Sequence, residues 1–219
     1  MMKIFIVGGA GKIARRLAKI CADKGHQPLS LFRRAEQESE LEKLGATPVS
    51  GDLTELTAED LASLMAGCDA LVFSAGAGGA GQEITNAIDG DGFRKSLQAA
   101  QMAGVKRFLQ VSAFPESGRG GEPKEGFENY MRVKKQTDCE LVASDRDWVI
   151  LRPGTLTNDS GDGRINADLA VPYGNVSRDN VALTLATLIE TPALHHCIIE
   201  LTDGDHPVTD ALQALADRS

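Results

Sequence analysis

Met2 to Ala14 reads MKIFIVGGAGKIA: a β-branched and aromatic run breaks into Gly8-Gly9-Ala10-Gly11 and then resumes with helical character. That order predicts a strand, a tight turn and a helix start. Gly8 permits the reversal, Gly11 lets backbone approach a diphosphate, and the small Ala14 lets the helix pack on the strand. The first helical turn, with Lys12 and Ile13, presents unsatisfied N–H groups to an anion. A glycine turn that follows the first strand and opens a helix is the context in which this fingerprint points to a dinucleotide.

Working outward, apolar runs bounded by turn residues recur at Lys3–Val7, Pro28–Phe32, Thr47–Val49, Ala70–Phe73, Arg107–Val111, Trp148–Leu151 and Ile198–Leu201. About seven strands are predicted. Helical patterns separate them, roughly at Lys12–Lys24, Glu36–Leu44, Ala58–Met65, Glu83–Ala103, Glu128–Ser144 and Asp179–Glu190, with a last one near Val208–Ala216. Thr57 stands as an N-cap before Glu59 and Asp60, whose acids suit the positive end of the helix dipole. Strands alternating with helices of this length make right-handed βαβ units. The expected fold is α/β: a Rossmann-like, doubly wound parallel sheet with helices on both faces, one domain over 1–219 and a small C-terminal substrate-side region.

Composition bounds the function. With 219 residues, 42% hydrophobic and 25% charged, the chain can bury a sizeable core. The net charge of −8 argues against nucleic acid as a partner, because non-specific binding needs basic surface. No run approaches the roughly 18 apolar residues that span a bilayer, and Met1-Met2-Lys3 leads straight into a core strand. A cytoplasmic location without a membrane partner is expected. Cys21, Cys68, Cys139 and Cys197 are scattered, with no Cys-x-x-Cys pair and no metal-ligand spacing, and read as small buried residues. No metal is expected. His195-His196 reads as a surface or loop pair whose rings diverge if the following strand extends back over them.

Three stretches depart from regular structure: Gly76–Gly81, Pro115–Gly126 and Pro153–Tyr173. Each follows an apolar strand, and ligands of open α/β sheets bind outside the carboxyl ends of the strands, so all three should face one crevice. The Gly-rich 115–126 segment is expected to act as a substrate lid. At the end of the second strand Leu31-Phe32-Arg33-Arg34 stands where an acid would take the ribose 2′-hydroxyl of NAD. Two guanidiniums instead offer bidentate contacts to a 2′-phosphate, and Lys12 adds charge to the same patch. The expected cofactor is NADP(H) rather than NAD(H). Asp52, followed by Leu53, either accepts from an adenine amino group or simply closes a turn. Ser74, Ala75 and Gly76 end the fourth strand with small side chains that let backbone approach a cofactor.

Tyr130 and Lys134 lie four residues apart, on one helix face and within reach of a common ligand. Ser112 ends the fifth strand at the crevice. With these residues in place, the chain resembles the short-chain dehydrogenase/reductase superfamily in its atypical NAD(P)H-binding branch. That branch holds flavin- and biliverdin-reductase-like proteins, small oxidoreductases and NmrA-like redox sensors. The resemblance runs through Gly8-x-x-Gly11-x-x-Ala14, Gly51-Asp52-Leu53, Gly104-Val105-Lys106-Arg107-Phe108 leading into Val111-Ser112-Ala113, Tyr130-x-x-x-Lys134, Leu151-Arg152-Pro153-Gly154 and Ser177-Arg178-Asp179-Asn180-Val181-Ala182.

The resemblance implies roles. Tyr130 would be the general acid or base, Lys134 would hold the nicotinamide ribose and favour the phenolate, and Ser112 would orient the substrate oxygen. Pro153 and Gly154 would border the nicotinamide. It implies an oxidoreductase acting on a small carbonyl, quinone, flavin or tetrapyrrole; the alternative is a non-catalytic NADP(H)-binding sensor. The chain lacks the large C-terminal substrate region of the sugar-nucleotide epimerases and dehydratases, which weakens an epimerase reading. Asn86 is available for the family's fourth-helix Asn. A monomer or a homodimer is compatible with these features.

Overall fold

The computed structural model describes residues 1–118, 122 and 125–218. β1 (Lys3–Val7) leads into α1 (Lys12–Asp23), then β2 (Gln27–Phe32), α2 (Glu38–Lys43), β3 (Thr47–Ser50), α3 (Ala58–Leu64) and β4 (Ala70–Phe73). Next come α4 (Gln82–Thr85), a π-helical stretch over Asn86–Gly92, α5 (Phe93–Met102), β5 (Arg107–Val111), α6 (Glu125–Val142) and β6 (Asp147–Pro153). The chain continues through β7 (Thr155–Thr157), β8 (Arg164–Asp168), β9 (Asn175–Ser177), α7 (Arg178–Glu190), β10 (Cys197–Asp203), β11 (His206–Pro207) and α8 (Val208–Ala216).

The seven expected strands form the parallel part of the sheet, in the order β3-β2-β1-β4-β5-β6-β10. Strand order reverses between β1 and β4, and loops leaving the carboxyl ends of such neighbours diverge to opposite faces, opening a crevice. Period-2 alternation divides the core between those faces. Ile4 and Ile6 pack with Leu17, Val181 and Leu185 on one side, and Phe5 and Val7 pack with Phe73, Phe93 and Phe108 on the other. Phe93 meets Phe73 and Phe108 edge-on, with centroids 5.2 and 5.6 Å away. Each such burial contributes about 1.5–3 kcal/mol over leaving the ring in water.

The strand count expands at the far edge. Antiparallel β8 and β11 bring the described sheet to nine strands, and β7 pairs with β9 in a separate two-stranded sheet. The stretch 153–173, expected to be irregular, thus carries β7 and β8. The Thr57 cap forms as expected, its Oγ1 accepting from Asp60 N–H at 3.1 Å. Cys139 is exposed and Cys197 only half-buried, so two of the four cysteines are not the buried residues expected. β10 starts at Cys197, beyond the histidines, and the His195 and His196 rings meet edge-on at 4.8 Å rather than diverging. No helix among the described residues is long and apolar enough to cross a membrane.

Candidate coenzyme and substrate cleft

The glycine turn is built for close approach. Gly8 sits at φ +78°, where L side chains are strained, and a Cβ there would lie 2.6 Å from Ala75 Cα. Gly9, which the fingerprint spacing did not single out, is equally constrained: its Cβ would meet Ser30 at 2.6 Å. Gly11 donates to Gly8 O at 2.8 Å and caps α1 with its backbone alone. No side chain therefore intrudes on the first-turn N–H groups, which have no intrahelical acceptor. That bare cradle, opposite the small Ser74-Ala75-Gly76 after β4, fits a dinucleotide diphosphate.

Two cavities meet there, sharing Gly11, Ser74, Ala75 and Gly76. The smaller, about 270 Å³, runs over Gly8 to Leu31, Phe32, Arg33, Gln37, Asp52, Leu53 and Thr54. Asp52 closes a turn, its Oδ1 accepting from Thr54 N–H at 2.8 Å and Thr54 Oγ1 at 2.7 Å. Its carboxyl is held below the usual range by those Thr54 bonds, with Arg33 adding to the effect. Arg33 Nη1 is 4.0 Å from Asp52 Oδ2. Only one of the two arginines faces this cavity: Arg34 turns away to pair with Glu36 at 2.9 Å. Lys12 lines the larger cavity and not the smaller one that Arg33 lines.

The larger cavity, about 820 Å³, brings together Lys12, Ile13, the 76–81 loop, Val111, Ser112, Phe127, Tyr130 and Lys134. Pro153 and Gly154 line neither cavity; both are buried at the end of β6, where a Cβ on Gly154 would collide with Gly174 O at 2.1 Å. Leu156 and Arg178 form that wall instead. Of the expected lid, Pro115–Gly118, Glu122 and the helical start at Glu125-Gly126 are described, and Arg119–Gly121, Pro123 and Lys124 lie outside the described residues. Tyr173 ties the beginning of that segment down, its ring against Phe114 and its hydroxyl 3.3 Å from Ser117 Oγ and 2.5 Å from Thr155 Oγ1.

Lys134 is almost wholly buried, 3.0 Å from Asp89 Oδ1, and donates to Val111 O at 3.2 Å. Burial opposes its charge, but Tyr130 and Asp89 together hold its pKa above the ordinary lysine value. Asp89, which sequence reasoning missed, also accepts from Ala77 N–H at 2.9 Å and so ties the 76–81 loop to α6. Its inward position comes from the π-helical stretch; glycines at 90 and 92 inside a helical pattern were the available signal. Asn86 lies on the outer side of that stretch, accepting from Asn129 Nδ2 at 3.0 Å.

Lys134 Nζ stands 5.7 Å from the Tyr130 ring centroid. Burial nonetheless pushes the Tyr130 phenol up from its ordinary value; Lys134 pulls it down, while Asp89 and Asp138 push it further up. The expected shift toward phenolate is therefore reversed here, because burial outweighs the ammonium, with Asp89 and Asp138 adding to it. Burial pushes the Asp138 carboxyl up from its ordinary value, with Ser112 and Arg152 pulling it back, yet Ser112 Oγ and Asp138 Oδ1 are both buried without a completed hydrogen bond. Asp138 Oδ2 accepts from Arg152 Nη2 at 2.8 Å. A row of alternating charge, Asp89, Lys134, Asp138 and Arg152, thus runs behind the phenol. Among the described residues no cluster of His, Cys, Asp and Glu could hold a metal ion.

A family model described as NAD(P)H-binding matches residues 8–192. The chain is 37% identical over 216 residues to the uncharacterized sugar epimerase YhfK of Bacillus subtilis, covering 98% of this chain and 100% of that protein. A solved structure from Bacillus halodurans, named for the NAD-dependent epimerase/dehydratase class, is similar with a TM-score of 0.89 at 31% identity, over 98% and 100% of the two chains. The oxidoreductase ylbE of Lactococcus lactis is similar with a TM-score of 0.85 at 28% identity, over 99% and 97%.

Proposed function

The chain belongs to the NAD(P)H-binding family, and on that premise we propose that it is an NADP(H)-dependent oxidoreductase acting on a small carbonyl, quinone, flavin or tetrapyrrole. The observation that carries this reading is the junction of the two cavities at the glycine cradle, with Arg33 at one end and Tyr130 at the other. Gly8, Gly11 and the α1 N-terminus, with Lys12 and Ile13, would hold the diphosphate, and Ser74, Ala75 and Gly76 would flank it. Arg33 would take the 2′-phosphate, with Arg34 a secondary charge; Asp52 and Leu53 would border the adenine. The bound coenzyme supplies hydride. Tyr130, raised by burial, holds its proton at neutral pH and delivers it to the substrate oxygen, which suits reduction. Ser112 would position that oxygen, and Lys134 would restrain the phenol from behind.

The test is NADPH consumption across those four acceptor classes. Tyr130→Phe should lower kcat at least about a hundredfold, the lower range for positioned acid catalysis, with NADPH affinity changed less than threefold. Because a raised phenol loses its proton only at high pH, the rate of reduction should stay level through neutrality and fall only above the ordinary tyrosine value of 10.0. A Phe variant as fast as the wild type removes Tyr130 from the mechanism. One observation favours a second reading, a coenzyme-sensing module: Asp89 pairs with Lys134, the lysine buried beside the phenol, and so offsets its charge. That reading expects NADPH to bind without being consumed by any acceptor.

A further inference from the structure

The larger cavity carries a cation that the roles above leave unused. Its walls are mainly apolar, from Ile13, Val111, Phe127 and Leu156, and its Asp89–Lys134 pair is internally neutral. Arg178, the first residue of α7, is half-buried on the same wall. Its Nη1 alone is spent on protein, donating to Leu156 O at 3.2 Å, Thr157 O at 2.9 Å and Asn158 Oδ1 at 3.0 Å. Among the described residues no carboxylate pairs with it, and its Nε and Nη2 make no hydrogen bond. The residue is also firmly placed: Ser177 Oγ accepts from Asn180 N–H at 3.0 Å, and Asp179 pairs with Arg16 of α1. A guanidinium anchored at one nitrogen keeps its Nε–Nη2 edge for a planar, bidentate acceptor.

We propose that Arg178 is a carboxylate clamp, so that the substrate is a largely apolar carbonyl compound bearing an acid group. The proposal rests on the reading that substrate occupies the larger cavity beside the coenzyme. An anion at Arg178 has two possible sources, the substrate acid or the coenzyme diphosphate. We assign the acid, because the diphosphate already has the glycine cradle and Lys12.

Calorimetric titration with biphenyl-4-carboxylate and with biphenyl-4-carboxamide, alone and with saturating NADP+, tests this. Wild type should bind the acid at least tenfold tighter than the amide. Arg178→Gln should erase that preference while its NADP+ affinity stays within threefold of wild type, and Arg178→Lys should restore part of it. Equal affinity for acid and amide in wild type, or a preference that survives in Arg178→Gln, overturns the clamp. So does a tenfold loss of NADP+ affinity in that variant, which assigns Arg178 to the diphosphate. Wild type that fails to bind NADP+ sinks the preceding function instead, and the acid–amide comparison on coenzyme-free protein still decides the clamp.

Discussion

Neighbouring residues with the same side chain are not equivalent in this cleft, and Arg33 and Arg34 show why. Successive residues leaving β2 point in different directions: Arg33 reaches the smaller cavity and Asp52, whereas Arg34 is drawn off by Glu36. A hydrogen bond to a charged group contributes about 1.5–3 kcal/mol when it excludes water. Arg33→Ala should therefore weaken NADPH binding roughly tenfold to a hundredfold while changing NADH binding little, since only NADPH carries the 2′-phosphate. Arg34→Ala should change either affinity less than about threefold. Parallel fluorescence titrations of the two reduced coenzymes check both statements. Equal losses for NADPH and NADH in the Arg33 variant would remove that residue from coenzyme discrimination. The sequence places both arginines at the end of β2, but which of them faces the cleft depends on Glu36 and Asp52, whose positions are set by the turn geometry after β2 and β3.

At the scale of elements, the π-helical stretch between α4 and α5 decides the electrostatics of the site. A continuous α-helix over 83–103 was the natural reading of its apolar spacing, and most of that span is helical. What the spacing does not reveal is that Gly92 packs against Leu53, where a Cβ would stand 2.7 Å from Leu53 Cδ2, while Asp89 turns inward to Lys134. That outcome depends on contact between distant segments, as do the short strands beyond β6. β8 pairs with β10 more than thirty residues on, and of its five residues only Ile165 is buried. No local periodicity marks such a strand, whereas β1 and β4 are almost continuously apolar and legible without their partners. The ion pair gives a direct test. Asp89→Asn leaves a buried ammonium without its counter-ion, which costs about 3–5 kcal/mol of stability. Urea unfolding at pH 7 should show that loss, and Asp89→Asn combined with Lys134→Met should recover a large part of it, since the double variant buries no uncompensated charge. A single variant as stable as wild type would mean that the pair is not closed in solution.

At the scale of the whole molecule, the cleft lies where the strand order reverses, so its walls come from both halves of the chain: β1, β2 and β3 supply the Arg33 end, and β4, β5 and α6 supply the Tyr130 end. The contact between α1 and α7 spans the same division, with Arg16 on Asp179 and Lys24 on Glu190. A ligand lying across the cradle touches both halves and is released when either unfolds, so its binding free energy adds to the stability of the folded chain as a unit. At a coenzyme concentration of about a hundred times Kd that addition is about 2.7 kcal/mol. For a chain of this size each kcal/mol moves Tm by roughly 2–4 °C, so saturating NADPH should raise a single melting transition by roughly 5–10 °C. NADH at the same concentration should raise it less, and Arg33→Ala should narrow that gap while leaving the coenzyme-free Tm within about a degree, because Arg33 is largely solvent-exposed. A melt that splits into two transitions on adding NADPH would show that the coenzyme stabilises one half alone, and would break the link between strand reversal and a cleft shared by both.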